Sequence, residues 1–147
     1  MKTHGILHCD LAKAIAALGH KDMLAIVDRG FPFPRHEQTA CIDLAVGRNV
    51  PRVADVLSTV LEELEIESAI LAKETELESP EAFAVFQRLL ASVSNKGRPV
   101  AQEAIPHAEL RDLVLNGALE GKEMKAMVRT GEFTPFANII LVSGVVF

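Results

Sequence analysis

A histidine and an aspartate stand at the two ends of one short apolar segment near the start of the chain. His20 follows Leu18-Gly19, which indicates a helix end, and Asp28 closes the apolar run Met23–Val27. The chain then turns sharply, because the glycine and the prolines of residues 29–34 break regular strand pairing. Polar groups at the ends of buried strands commonly build the sites of α/β proteins. His20 and Asp28 are therefore predicted to form an acid/base centre.

Other polar and aromatic residues stand where further strands are predicted to begin or end. His107 follows a predicted strand over 100–105, and Asn138 opens the last aliphatic strand. Because an asparagine amide both donates and accepts hydrogen bonds, Asn138 suits a pair of neighbouring hydroxyl groups. The ring of Phe136, two residues earlier, suits the apolar face of a sugar. These residue types indicate a carbohydrate site at the ends of the strands.

Helices and strands are predicted to alternate along the chain. Leu11, Ile15 and Leu18 fall on one face of a first helix, with Asp10 as its N-cap and Gly19 in the left-handed position past its end. The strands are continuously apolar, which is typical of a sheet covered on both faces by helices. The predicted class is α/β, a single domain over 1–147 with a mostly parallel or mixed central sheet. The predicted strands span 23–27, 41–46, 67–73, 100–105, 124–128 and 138–142, and further helices begin at Pro51, Ser79 and Ala108.

The amino-acid composition of the chain limits the kinds of partner that it is expected to bind. Hydrophobic residues make up 49% of the 147 residues, and the formal net charge is −5. Nucleic acid binding lacks its electrostatic footprint because no run of lysine or arginine occurs. No uncharged stretch reaches the length of a membrane-spanning helix, so the apolar excess favours a homo-oligomer or, alternatively, an aliphatic-rich core. Two cysteines, Cys9 and Cys41, are too few for a disulfide framework, and no signal peptide is evident, so the expected location is cytoplasmic.

Four short segments, spread over almost the entire chain, form a specific set. They are Leu18-Gly-His-Lys-Asp22, Asp28-Arg-Gly-Phe-Pro-Phe-Pro34, Pro106-His107 and Thr130-Gly-Glu-Phe-Thr-Pro-Phe-Ala-Asn-Ile-Ile-Leu141. In this order, and in a chain of this length, the set resembles the D-ribose pyranase and L-fucose mutarotase family. The loop over 30–34 and the ending over 137–141 are closer to the ribose branch.

The resemblance implies an isomerase that interconverts the pyranose and furanose forms, and the anomers, of D-ribose or a related monosaccharide. The ring opens and closes by acid/base chemistry, with neither cofactor nor metal. The resemblance implies His20 as the proton donor, Asp28 and His107 as substrate contacts, and Phe136-Ala137-Asn138 as the sugar-binding segment. It also implies a homo-oligomer, a pentameric ring or a decamer, with the site where neighbouring subunits meet. The family's usual tyrosine is replaced by Phe136, so one hydrogen bond to the sugar is missing and the preferred sugar stays open.

Each candidate residue also has a purely structural interpretation. His20 on its own is a helix-terminal histidine beside the negative end of the helix dipole. Asp28 on its own is a residue that caps a turn, and His107 an N-cap or a surface residue. Asn138 on its own satisfies backbone groups where the last strand begins. The resemblance to the family, and none of these residues alone, favours the functional interpretation.

Two other functions remain as alternatives. One is a non-catalytic sugar-binding accessory or regulatory subunit of sugar uptake, in which His20 serves affinity and not exchange. The other is an L-fucose mutarotase. A metal-dependent hydrolase that uses His4, His8 and His20 is disfavoured, because carboxylate ligands at suitable spacing are missing. The roles of Asp43, inside a predicted strand, and of Glu132 stay open.

Overall fold

The computed structural model describes residues 1–119 and 121–147. The helices are α1 (Cys9–Ala16), α2 (Val53–Leu61), α3 (Lys73–Glu78), α4 (Pro80–Ala91) and α5 (His107–Asn116). Each of these helices falls short of what crossing a membrane requires. The strands are β1 (Met23–Val27), β2 (Ala40–Asp43), β3 (Ile66–Ala72), β4 (Ser94–Asn95), β5 (Arg98–Pro99), β6 (Ala101–Ile105), β7 (Ala118–Leu119), β8 (Lys122–Arg129) and β9 (Ile139–Ser143).

The central sheet is mixed. Its main path has the strand order β2-β8-β1-β9-β3-β6, and β7 pairs with β8 outside this path. Strand β8 runs parallel to both β1 and β2, and β3 runs parallel to β6. Strand β9 is antiparallel to both of its neighbours, β1 and β3. The predicted α/β class with a mixed sheet is therefore confirmed.

Helices cover both faces of this sheet, which explains why its strands are continuously hydrophobic. In β1, Leu24 and Ile26 pack into one buried cluster together with residues of α2 and α4. Met23, Ala25 and Val27 pack into a second cluster together with residues of α5. Because successive side chains of a strand point to opposite faces, all five residues of β1 are buried.

The first helix departs from its predicted ends. His8, and not Asp10, is the N-cap: its ring Nδ1 accepts a backbone N–H of the first turn at 3.3 Å, and Asp10 lies within the helix. Past the helix, the left-handed conformation falls at Lys21 (φ 69°) and not at Gly19. The Asp22 carboxylate accepts the Gly19 N–H at 2.8 Å and closes a turn there, so the reversal of the chain is completed two residues later.

Two further elements differ from the prediction. Strand β2 ends at Asp43 because the Val46 N–H donates to the Val50 carbonyl at 3.0 Å, which starts a turn. Asp43 therefore stands at the end of its strand and not inside it. Helix α3 was not predicted, since its sequence is rich in glutamate and, of its side chains, Thr75 alone is buried, so no apolar stripe marks it.

The two ends of the sheet carry different polar residues. One end of the sheet, called the carboxyl end, is where five parallel strands end and the antiparallel strand β9 begins. These five strands are β1, β2, β3, β6 and β8. Asp28, Asp43, His107 and Asn138 lie at this end. His20 precedes β1 and therefore lies at the opposite, amino end. The strand arrangement thus separates the predicted proton donor from the predicted sugar contacts.

Candidate functional site

A buried amide holds an aspartate at the carboxyl end of the sheet. Because β1 and β9 are antiparallel neighbours, Asn138 lies beside Asp28. The Asn138 side chain is buried; its Oδ1 accepts the Asp28 backbone N–H at 2.8 Å, and its Nδ2 donates to Asp28 Oδ2 at 2.9 Å. The Gly30 N–H donates to Asp28 Oδ1 at 2.9 Å. Since a backbone N–H can only donate, the Asn138 amide has one orientation, and the carboxylate of Asp28 is fixed with it.

Burial raises the pKa of Asp28 above its usual value. The Asn138 amide, the Gly30 N–H and the charge of His107 all act in the opposite direction. A carboxylate with little water around it gains strongly from the hydrogen bonds of a ligand hydroxyl, because the local dielectric is low. An anionic ligand, in contrast, would meet a like charge here. Asp28 therefore suits a neutral, hydroxylated ligand.

His107 brings an imidazole ring to the same end of the sheet. It is the first residue of α5, and its backbone N–H donates to Glu74 Oε2 at 2.8 Å. Its ring centroid lies 5.0 Å from that of Phe136 and 6.2 Å from that of Phe31, both in edge-on geometry. The Nδ1 atom is buried and has no hydrogen-bond partner among the described residues. A buried polar atom left unpaired costs free energy, and a ligand that bonds to Nδ1 would remove this cost.

The segment before β9 is tied to the helices beside it. Thr75 Oγ1, from α3, donates to the Phe136 carbonyl at 2.6 Å, and Ser79 Oγ donates to the Pro135 carbonyl at 2.6 Å. Phe136 takes a left-handed backbone conformation (φ 58°), which is rare for a bulky residue and is found mostly at functional sites. Ala137 is fully buried. These bonds hold the Phe136 ring against His107.

The loop after β8 is fixed by its own side chains. Thr130 Oγ1 donates to the Val27 carbonyl at 2.9 Å. The buried Glu132 accepts the Thr134 N–H at 3.0 Å through its carboxylate and the Arg29 N–H at 2.9 Å through its carbonyl. Glu132 therefore supports the loops around Asp28. Within residues 1–119 and 121–147, no group of three or more His, Cys, Asp or Glu residues is placed to hold a metal ion.

Asp43 pairs with two arginines beside the loop over 29–34. Its Oδ2 accepts from Arg129 at 2.5 Å and from Arg29 at 3.4 Å, and the Arg129 guanidinium lies 3.9 Å from the centroid of the Phe33 ring. Desolvation works against ionisation of Asp43, but the hydrogen bonds from Arg129 and Ala45 and the charges of both arginines lower its pKa below the usual value. This network braces the loop that follows Asp28.

His20 lies at the amino end of the sheet, apart from this cluster. The five residues of β1 separate it from Asp28, which at about 3.3 Å per residue amounts to roughly 16 Å. Its ring is half exposed, and its Nε2 lies 2.9 Å from Glu67 Oε2. One chain therefore brings Asp28, His107, Phe136 and Asn138 together but does not bring His20 to them. The acid/base centre predicted from His20 and Asp28 is not formed within a single chain.

An aromatic and hydrogen-bonding cluster at the end of a mixed sheet is the kind of arrangement at which α/β proteins commonly bind small polar molecules. Comparison with known proteins narrows this class. The chain belongs to the RbsD / FucU transport protein family, whose family model matches residues 1–146. The family predicted from the four segments is thereby confirmed.

Curated relatives and solved structures match over the full length of the chain. A protein named D-ribose pyranase from Clostridium perfringens (strain SM101 / Type A) is 42% identical over 147 residues, which are all of both chains. Another D-ribose pyranase, from Coprothermobacter proteolyticus, is 40% identical with the same coverage. The structure of Bacillus subtilis RbsD complexed with D-ribose matches with a TM-score of 0.84 at 35% identity and covers 100% of both chains. The fucose mutarotase from Streptococcus pneumoniae, in complex with L-fucose, covers 96% of this chain and 95% of its own with a TM-score of 0.75, but at 17% identity it supports the fold alone.

Proposed function

We propose that this chain is an isomerase of the D-ribose pyranase type. It interconverts the pyranose and furanose forms of D-ribose, and their anomers, by opening and closing the sugar ring. The observation that carries this proposal is the cluster of Asp28, His107, Phe136 and Asn138, in which a partly desolvated carboxylate bonded to the Asn138 amide lies near an imidazole whose ring packs edge-on against Phe136. Relatives at about 40% identity that carry the name D-ribose pyranase support it.

The chemistry requires two proton transfers. The anomeric hydroxyl loses a proton as the carbonyl forms, and the ring oxygen gains one as its bond to the anomeric carbon breaks. Histidine serves such transfers near neutral pH, and a positioned acid/base group contributes about 10²–10⁴-fold. In this proposal, His20 donates the proton to the ring oxygen. Asp28 and His107 bind the sugar hydroxyls and Phe136 covers the apolar side of the ring, while the buried Ala137 and Asn138 complete the sugar-binding segment, Asn138 by holding the Asp28 carboxylate.

A second copy of the chain completes the site. Since His20 and Asp28 lie at opposite ends of one β1 strand, the proposal requires His20 of one subunit to meet Asp28 of another. A closed homo-oligomer, a pentameric ring or a decamer of domains spanning 1–147, offers such a meeting at every interface. The two free, exposed cysteines, Cys9 and Cys41, fit a reducing cytoplasm.

Saturation-transfer NMR tests the activity and its sugar preference together. D-ribose and L-fucose are each measured at equal concentration, with and without the protein. The proposal predicts faster transfer between the ring forms of D-ribose than between the anomers of L-fucose. Acceleration for L-fucose alone would contradict the ribose assignment, and binding of D-ribose without any acceleration would favour the accessory sugar-binding protein.

A further inference from the structure

His20 contacts a carboxylate at the amino end of the sheet. Its Nε2 lies 2.9 Å from Oε2 of Glu67, a residue 47 positions further along the chain. An ionised carboxylate only accepts hydrogen bonds, so Nε2 of His20 must be the donor. In the neutral imidazole, one nitrogen carries the hydrogen and the other the lone pair. The contact therefore leaves the lone pair on Nδ1.

Glu67 occupies an irregular position in its strand. Where β3 pairs with β9, Ile66 lies opposite Ser143 and Ser68 lies opposite Val142, so Glu67 is the extra residue of a β-bulge. Bulges redirect a side chain and are frequent beside active sites. Strand β9 separates β3 from β1 in the sheet. The side chain of Glu67 thus reaches His20 across the end of an intervening strand.

The turn that carries His20 is attached to the same strand end. The Lys21 N–H donates to the Ser143 carbonyl, and the Ser143 N–H donates to the Asp22 carbonyl, each at 2.9 Å. Lys21 adopts a left-handed backbone conformation (φ 69°) in this turn. The backbone of His20 is therefore held in place, because its neighbours Gly19 and Lys21 both donate hydrogen bonds.

The chain after β9 passes close to the bulge. The Gly144 N–H donates to the Glu65 carbonyl at 2.9 Å. A Cβ atom at Gly144 would lie 3.1 Å from the Glu67 nitrogen and 2.5 Å from Nδ2 of Asn95, so a larger residue there would displace the bulge. Asn95 Nδ2 in turn donates to Glu65 Oε1 at 2.9 Å. The backbone segments that carry His20 and Glu67 are thus both held in place by hydrogen bonds and close packing.

We infer that Glu67 is a positioning residue for proton transfer by His20. Its carboxylate accepts the hydrogen bond from Nε2 and so orients the ring, which leaves Nδ1 as the nitrogen that gives and takes the proton. In ring opening, protonated Nδ1 gives its proton to the ring oxygen as the bond from that oxygen to the anomeric carbon breaks. The anomeric hydroxyl releases its own proton to solvent, and re-closure reverses both transfers. The inference rests on the proposed function, in which His20 is the donor.

Kinetics of matched variants test this role. Glu67→Gln and Glu67→Ala should lower kcat for D-ribose exchange by about 10- to 100-fold, by analogy with the carboxylates that orient metal-ligating histidines. KM should change by less than about twofold, since a positioning residue acts on the His20 ring and not on the sugar. Glu62→Gln removes the same charge from an exposed glutamate and should leave both constants unchanged. Melting temperatures verify that each variant is folded.

Nitrogen-15 NMR of the His20 ring gives a readout that a merely structural role would not move. The wild-type protein should show hydrogen on Nε2 of the neutral ring, and Glu67→Ala should raise the population with hydrogen on Nδ1. A wild-type ring with hydrogen on Nδ1, or Glu67 variants with wild-type kcat beside an inactive His20→Ala variant, would overturn the inference and leave the proposed function intact. No acceleration of D-ribose exchange by the wild-type protein would overturn both.

Discussion

A mixture of two inactive variants tests whether each site draws residues from two subunits. His20→Ala removes the proposed proton donor, and its activity should fall by about 10²–10⁴-fold. Asp28→Asn removes a charge-assisted hydrogen bond to the sugar, worth about 1.5–3 kcal/mol, so its activity should fall by roughly 10- to 150-fold. The five residues of β1 keep the two positions apart within one chain. Neither variant can therefore form a complete site by itself. An intact His20 and an intact Asp28 can meet only where subunits of the two variants are neighbours.

The size of the recovery follows from the geometry of a shared site. Equal amounts of the two variants are unfolded in urea, refolded together and assayed by saturation-transfer NMR on D-ribose. At random mixing, half of the sites receive an intact His20 and half an intact Asp28, so about one quarter of the sites receive both. The mixture should therefore recover about one quarter of wild-type activity, well above either parent.

A second mixture provides the control. His20→Ala refolded with His20→Asn places an altered residue in every site, and its activity should stay at the level of the parents. If the mixture of His20→Ala and Asp28→Asn also stays at the parental level, the two residues do not meet across an interface. The proposed composite site would then be wrong.

Four substitutions test the packing and charge of the carboxyl-end cluster. Asn138→Leu removes both hydrogen bonds to Asp28 and should lower the free energy of unfolding by about 1–3 kcal/mol, measured in urea; an unchanged midpoint would contradict the structure. Thr75→Val removes one of the two hydrogen bonds that the Phe136 carbonyl accepts, the other coming from the Asn138 N–H at 2.8 Å, and should cost about 1 kcal/mol while raising the KM for D-ribose; stability equal to wild type would argue against this tie. Phe136→Tyr adds a phenol hydroxyl and should lower the KM for D-ribose by about 2- to 10-fold, the worth of one neutral hydrogen bond; an unaltered KM would show that the hydroxyl finds no sugar partner. Asp43→Asn tests pH dependence: the folded-state pKa of Asp43 is lowered, so its carboxylate stabilises the fold above the unfolded-state pKa and loses this effect as the pH falls through the folded-state pKa. The variant should be less stable by at most about 1 kcal/mol at neutral pH, because the pair is partly exposed, and equal to wild type in strong acid; a difference that grows towards low pH would reverse the sign.

Local patterns predicted the elements well where the apolar period was clear. Strand β1 has the predicted bounds, and the last strand lies within one residue of its prediction at each end. Helix α3 was missed because buried Thr75 stands among glutamates and leaves no apolar stripe. The left-handed backbone conformation was predicted at Gly19 but lies at Lys21, because the Asp22 carboxylate holds Gly19 in a turn. Such competing side-chain bonds are invisible to a periodicity argument.

The site depends on the order of the strands, which local patterns do not contain. Asn138 meets Asp28 only because β9 inserts between β1 and β3. His20 and Asp28 were correctly placed at the two ends of one strand, but an extended strand keeps its ends apart. The direction of the Glu67 side chain could not be predicted from the sequence, because it is set by a one-residue bulge. The sequence shows only that a charged residue stands near the start of a mostly apolar strand.

The exchange rate of D-ribose itself tests the central claim most directly. Magnetisation transfer between the pyranose and furanose signals is measured for sugar alone, with wild-type protein and with His20→Ala at matched concentration. We expect the wild-type protein to accelerate the transfer, and His20→Ala to bind D-ribose with similar affinity while leaving the spontaneous rate unchanged. Equal rates with and without the wild-type protein, or full acceleration by His20→Ala, would contradict the claim that this imidazole drives the opening of the sugar ring.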